Sequence, residues 1–400
     1  MSLDSVNSIK KLNFTTIFPS ELLQQKTAHN FTPSTLHSIE PHIQISSSLS
    51  KCFKNGWQAI CKFFKSILNY FRPVSPTDRE NRLTKHKDAI HRSLNEQMQR
   101  CAEQMAKEPA KRFQYGNAPP AWDSHETTHE ECVGNLQVGI AHAQGRRPAM
   151  EDEHLATSFD LVIGGKHYPV QLFGIFDGHG GPMAARFVRD HLQRKLRETL
   201  IEFNPSGLSE GGIWRALKMT CVRLNNDFKN QQGSVARDQG TTATIAMILD
   251  NHLWTANVGD ARTILDNDGT PIQLSHDAKP DDVHYRKGIE HRGGAVIDIN
   301  GTPRVNGSLA VGRAIGDHHL NGAITARPKI TVKPLAEIQH GSHLILCCDG
   351  IFDVSTTASV ANAAHANKTA SPKTLARNII YSAYQAGSTD NLSALVVKIK

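Results

Sequence analysis

From residue 136 onward the chain reads as short apolar runs broken at Gly, Asn and Asp. Residues 136–143, 171–176, 242–249, 253–258, 262–265, 343–348 and 392–399 have the length and the β-branched or aromatic content of strands. Asn267-Asp268-Gly269 has hairpin chemistry between Leu265 and Ile272. Apolar residues recur at helical spacing over residues 183–200, 211–229, 281–292, 357–366 and 372–386. Strands mostly follow strands, and helices come in blocks. That order predicts an antiparallel sheet system covered by helices, not alternating βαβ units. No internal repeat is present.

Upstream the texture differs. Residues 1–50 are rich in Ser, Thr and His with little hydrophobic period, and are expected to form a disordered arm. Over residues 51–71, Phe53, Trp57, Ile60, Phe64, Ile67 and Phe71 share one helical face, while Lys51, Lys54, Lys62 and Lys65 lie mostly off it. That face is expected to pack on the C-terminal domain or on the next helix; the surface of an anionic bilayer, which such a helix also suits, is the alternative. Arg72-Pro73 to Pro76 ends it, and a second amphipathic helix is expected over residues 78–107. Pro109, Pro119 and Pro120 mark a linker. The expected organisation is an arm (1–50), a helical extension (51–115), a linker (116–135) and a C-terminal domain (136–400).

Charge follows the same division. Residues 1–120 hold 17 Lys and Arg against 9 Asp and Glu, so the formal net charge of +7 belongs to the N-terminal third. A basic arm can seek an acidic surface or remain a solvated segment. At 39% hydrophobic and 21% charged residues, the chain can bury a sizeable core. Seven cysteines without a CxxC pair indicate buried thiols in a reducing, cytoplasmic setting rather than a disulfide framework. No apolar run of about 20 residues predicts a membrane span, and the first 30 residues lack the apolar core of a secretory signal.

Chemistry gathers where strands stop. The strand over 171–176 runs into Asp177-Gly178-His179-Gly180-Gly181. The strand over 343–348 runs into Asp349-Gly350, with Asp353 beyond, and Asp390-Asn391 precedes the last strand. An aspartate at a strand end is delivered to the rim of a sheet by a rigid element, and a following Gly lets the backbone turn and expose a carbonyl. Facing rims would make a cage of hard oxygen donors suited to Mg²⁺ or Mn²⁺. A lone Asp-Gly is usually only a turn, as in Asn267–Gly269; these sites differ in abutting strongly apolar strands. Glu151, Asp152 and Asp260 add acids that would repel one another without cations among them. Arg147, four residues before Glu151, would lie near the same cleft if a strand carried that segment, and could grip phosphate in a bidentate fork. His179 could donate a proton to a leaving oxygen.

These segments, in this order, resemble the protein phosphatase 2C family of metal-dependent phosphatases. They are RRPAMEDEH (146–154), FGIFDGHGG (173–181), DQGTTATIAMI (238–248), LWTANVGDARTIL (253–265), LSHDAKPDD (274–282), GGAVI (293–297), RVNGSLAVGRAIGD (304–317), LILCCDGIFDV (344–354) and GSTDNLSALVV (387–397). The resemblance covers residues 136–400 and implies an α+β fold, a four-layer α-β-β-α sandwich of two antiparallel sheets flanked by helices. It implies two metal ions held by Asp177, the Gly178 carbonyl, Asp349 and Asp390, with Glu151 acting through water and Asp152 beside it. A weaker third ion would lie on Asp260, Asp349 and Asp353. Arg147 falls on the phosphate-binding arginine and His179 on the proposed general acid. Gly312 and Ala278 depart from the family's usual residues, on the substrate side and away from the metal set.

The expected activity is hydrolysis of phosphoserine and phosphothreonine by direct attack of a metal-bridging hydroxide. No Cys is followed by Arg at the sixth position, which disfavours a cysteine-dependent phosphatase, and no GxxxxGK[ST] loop occurs. A catalytically inactive binding module on the same fold is the alternative, one expected to show a replaced metal aspartate. Phosphoprotein substrates, an anionic membrane surface through residues 51–71, no nucleic acid and a monomeric state complete the expectations.

Overall fold

The structure is a computed structural model that describes residues 113–119, 122–123 and 125–399. The arm, most of the helical extension and the amphipathic helix expected over 51–71, with its alternative of membrane contact, lie outside the described residues. In chain order the strands are β1 (Thr127–Val133), β2 (Leu136–Ala143), β3 (Glu153–Ile163), β4 (Lys166–Phe176), β5 (Gly178–His179), β6 (Gly240–Thr241), β7 (Ala243–Leu249), β8 (His252–Val258), β9 (Arg262–Asn267), β10 (Thr270–Gln273), β11 (Val296–Ile299), β12 (Thr302–Val305), β13 (Ile315–Gly316), β14 (Lys329–Pro334), β15 (His343–Cys347) and β16 (Leu392–Lys398). The helices are α1 (Met183–Phe203), α2 (Glu210–Gln232), α3 (Ser234–Asp238), α4 (Val283–His291), α5 (Asp349–Phe352), α6 (Thr357–Ala366) and α7 (Pro372–Gln385).

Two antiparallel sheets carry the fold, ordered β1-β2-β16-β15-β9-β10 and β14-β8-β7-β4-β3. Their strands alternate sides. On β4, Phe173 and Ile175 enter the core between the sheets, while Val170, Leu172 and Phe176 face the helices. On β7, Ala246 and Ile248 point inward and Ile245 and Met247 outward. A strand buried on both faces has no polar face to display, which is why these segments read as continuous apolar runs. α1 and α2 cover the five-stranded sheet; α6 and α7 cover the six-stranded one. The result is an α-β-β-α sandwich.

Local chemistry sets the helix ends. The Ser209 hydroxyl accepts from Gly212 N at the start of α2, Thr356 and Ser359 form a reciprocal capping box on α6, and Ser371 caps α7 ahead of Pro372. A third, smaller core of Ile289, Val305, Leu309, Val311, Ile324 and neighbours holds α4 and the β11–β12 hairpin.

The segment expected to be a linker is structured where it is described. β1 pairs along its length with β2. Phe113 is buried in the core built on the six-stranded sheet, and Arg377 of α7 donates to the carbonyls of Ala118 and Pro119.

Candidate active site

The cleft forms where one end of each sheet meets. β4 ends at Phe176 and presents Asp177; the Asp177 carbonyl accepts from Thr242 N (2.9 Å) and Thr241 Oγ1 (3.1 Å). β15 ends at Cys347 and α5 opens on Asp349. Asp260 sits between β8 and β9 and is 1% exposed. Ligand atoms of Asp177, Asp260 and Asp349 lie within 4.8 Å of one another.

Two glycines let the rims close. A Cβ on Gly178 would stand 2.3 Å from the Glu151 carbonyl, and one on Gly350 would stand 2.2 Å from the Asn391 carbonyl and 3.0 Å from the Asp390 Cβ. Backbone therefore packs on backbone at both Asp-Gly turns, and this close approach draws Glu151 towards Asp177 and Asp390 towards Asp349.

Asn391 fastens the segment that bears Arg147 and Glu151. Its amide donates to the carbonyls of Gln144 (2.8 Å) and Ala149 (2.9 Å), and its oxygen accepts from Glu151 N (3.0 Å). The segment from Gln144 to Asp152 is a loop between β2 and β3, not a strand. Pinned from inside, it still delivers both residues to the cleft. Arg147 Nη2 lies 2.6 Å from Asp390 Oδ2, with about half of its side chain exposed. Asp152 is buried and accepts from Ser393 Oγ at 2.7 Å. Asp353 follows one turn after Asp349, its N–H donating to the Asp349 carbonyl, and is exposed.

The electrostatics suit a cation. Burial pushes the carboxyls of Asp177 and Asp349 well above the ordinary range, and the charges of the neighbouring aspartates push further the same way. Burial also raises Asp260 and lifts Asp152 to about 7. Asp260 Oδ1 is shielded from solvent and has no hydrogen-bond partner among the described residues. Crowded, desolvated carboxylates with an orphaned oxygen are the donor set that a hard divalent ion satisfies.

Three residues given no role in the sequence reading belong to the site. Lys279 pairs with Asp260 and stands 3.9 Å from Asp349, an internal counter-ion whose own pKa is raised: burial opposes this, but Asp260 and Asp349 outweigh it. Asp317 Oδ2 lies 2.8 Å from His179 Nε2. Burial alone would lower the His179 pKa; the Asp317 hydrogen bond and charge outweigh it, and the net shift is upward. Asn391 is the third. All three lie inside quoted segments, yet nothing local announces that Asp317 meets a histidine 138 positions earlier.

The sequence profile of the protein phosphatase 2C family matches residues 136–392. The chain is 35% identical over 265 residues to probable protein phosphatase 2C 7 of Oryza sativa subsp. japonica, an alignment covering 66% of each chain. It is 36% identical over 268 residues to probable protein phosphatase 2C 76 of Arabidopsis thaliana, covering 67% of this chain and 60% of that one. The alignments thus span somewhat less than two thirds of the length of these curated relatives. Serine-threonine phosphatase 2C from Toxoplasma gondii superposes with a TM-score of 0.56 over 71% of this chain and 100% of that one; at 18% identity the likeness is one of fold.

Proposed function

The chain belongs to the protein phosphatase 2C family, and on that premise we propose that it hydrolyses phosphoserine and phosphothreonine esters of proteins, using two divalent cations, Mg²⁺ or Mn²⁺. The observation that carries the reading is the convergence of Asp177, Asp260 and Asp349 beside the half-exposed guanidinium of Arg147. Asp177, the Gly178 carbonyl, Asp349 and Asp390 would hold the two ions, with Glu151 acting through water and Asp152 beside it. Asp260, Asp349 and Asp353 would hold a weaker third. When bound, such ions supply Lewis-acid charge and water of lowered pKa.

The remaining steps fall to the chain's own groups. Arg147 exchanges Asp390 for phosphoryl oxygens, which its planar fork can take in pairs. His179 has Nε2 engaged by Asp317, so Nδ1 is the nitrogen left to protonate the departing serine or threonine oxygen. A thiol nucleophile is not in competition: burial raises the pKa of both Cys347 and Cys348, which keeps them as thiols.

The test is hydrolysis of a phosphothreonine peptide by the purified full chain. Turnover is expected with Mn²⁺ or Mg²⁺, and background rates are expected with EDTA or in Asp349→Asn. A fully active Asp349→Asn would remove the assignment. Metal uptake without turnover by the unmodified chain would instead favour a binding module on this fold.

A further inference from the structure

The six-stranded sheet carries a second group of ligating side chains at the end remote from the acidic cleft. β15 begins there with His343, six residues before Asp349, which places the two groups about 20 Å apart at about 3.3 Å per residue. His343 pairs across the ladder with Asp266 at the end of β9, and both side chains are fully buried. The turn after β9 adds Asp268, and the last turn of α6 adds His365.

The separations have a pattern. His343 Nδ1 stands 3.4 Å from Asp266 Oδ2. His365 Nδ1 stands 3.7 Å from Asp266 Oδ1 and 3.8 Å from Asp268 Oδ1. The last two are too long for hydrogen bonds. They are close to the spacing of ligands that share an ion: donors held about 2.0–2.2 Å from a tetrahedral cation stand about 3.3–3.6 Å apart. Among the described residues neither His365 Nδ1 nor His343 Nε2 has a hydrogen-bond partner, although both atoms are shielded from solvent. An orphaned buried nitrogen carries an uncompensated desolvation penalty, which a bound cation would offset at His365. Asp266 is already oriented, because its Oδ1 accepts from Gly269 N at 2.7 Å.

We infer that Asp266, Asp268 and His365, with His343 behind them, hold a borderline divalent cation of the Zn²⁺ class. Mixed imidazole and carboxylate donors select such ions over Mg²⁺, whereas the cleft offers oxygen alone. Among the described residues, only Asp177, Asp260 and Asp349 already have all their ligand atoms within 4.8 Å of one another. In the remote group the two aspartates meet through His365. Binding therefore requires Asp268, on its turn, to swing inward and to release Lys368, which now stands 3.3 Å away. The ion would tie turn, helix and two strands together. This inference does not rest on the hydrolytic reading.

The experiment uses the full chain, stripped with chelator and then given excess Mg²⁺ to fill the oxygen sites. Zn²⁺ is titrated by calorimetry, and Co²⁺ by the visible absorption that distinguishes tetrahedral from octahedral coordination. The wild type is expected to take up one equivalent that His365→Ala and Asp268→Asn lose or bind at least tenfold more weakly, and Zn²⁺ is expected to raise its melting temperature alone. His365 and Asp268 are 34% and 38% exposed, so both variants should fold; if His365→Ala does not, Asp268→Asn, which tolerates the left-handed backbone at that turn, decides. Wild-type stoichiometry and affinity in a folded variant, or no Zn²⁺ uptake by the wild type over Mg²⁺, overturns the site.

Discussion

At Asp317 a left-handed backbone, φ 52°, coincides with a carboxylate that is 2% exposed and directed at His179. A non-glycine residue in that region carries strain of order 1 kcal/mol or more, so the fold holds the carboxylate in place against a local preference. Asp317 is a positioning residue: it fixes the tautomer and the tilt of the imidazole. Asp317→Asn is expected to lower kcat by about 10–100-fold, the usual scale for a group that orients a catalytic one, with KM little changed. The loss should be large for phosphothreonine peptides and small for p-nitrophenyl phosphate, whose leaving group needs no proton. An equal loss on both substrates would make Asp317 merely structural. His179→Ala should reproduce the same leaving-group dependence.

At the scale of elements, the strand ends bring the acids to the cleft and the glycines after them let the rims close. Gly350→Ala would force a methyl group to within 2.2 Å of the Asn391 carbonyl, so the Asp349 and Asp390 rims must part. Overpacking of this kind costs about 1–3 kcal/mol. The expected readout is a lower melting temperature together with weaker Mn²⁺ activation. Gly211→Ala, in α2 with open space around its Cβ, is the control that should show neither. The same scale explains which elements were legible. β2, β7, β15 and β16 announce themselves because both faces are buried or nearly so. β1, β3 and β14 were missed: TTHEECV, EHLATSFDLVI and KITVKP mix polar and apolar residues, and their burial patterns are half-exposed. Their pairing partners, not their composition, make them strands.

Across the whole molecule, His142 of the six-stranded sheet and His154 of the five-stranded sheet meet at a ring separation of 4.3 Å, with the His129 ring tilted against His154 at 5.3 Å. Burial, reinforced by neighbouring histidines, lowers His142 to about 4 and His154 to about 3. Both folded values lie below the unfolded value of about 6.5, so the unfolded chain takes up protons first. Their contribution is intact above about pH 6.5 and lost as pH falls from there towards 4, at up to about 1.4 kcal/mol per pH unit for each ring. Asp152, held up at about 7 chiefly by burial, pulls the other way. The measurement is therefore comparative: melting temperature between pH 7 and 5 should fall less in His142→Gln than in the wild type, and parallel slopes would refute the assignment. No single segment shows this junction, because β2 and β3 are adjacent in sequence but belong to different sheets. The boundary has the same physical origin throughout. The sequence by itself determined the doubly buried strands, the hairpin turn at Asn267–Gly269 and the aspartates at strand ends, since periodicity and turn chemistry act over a few residues. Only the tertiary structure decided that Asp317 holds His179, that Lys279 neutralises Asp260, that Asn391 pins the Arg147 loop and that His365 faces two carboxylates, because each depends on where the sheets' registers and crossings place residues tens to hundreds of positions apart.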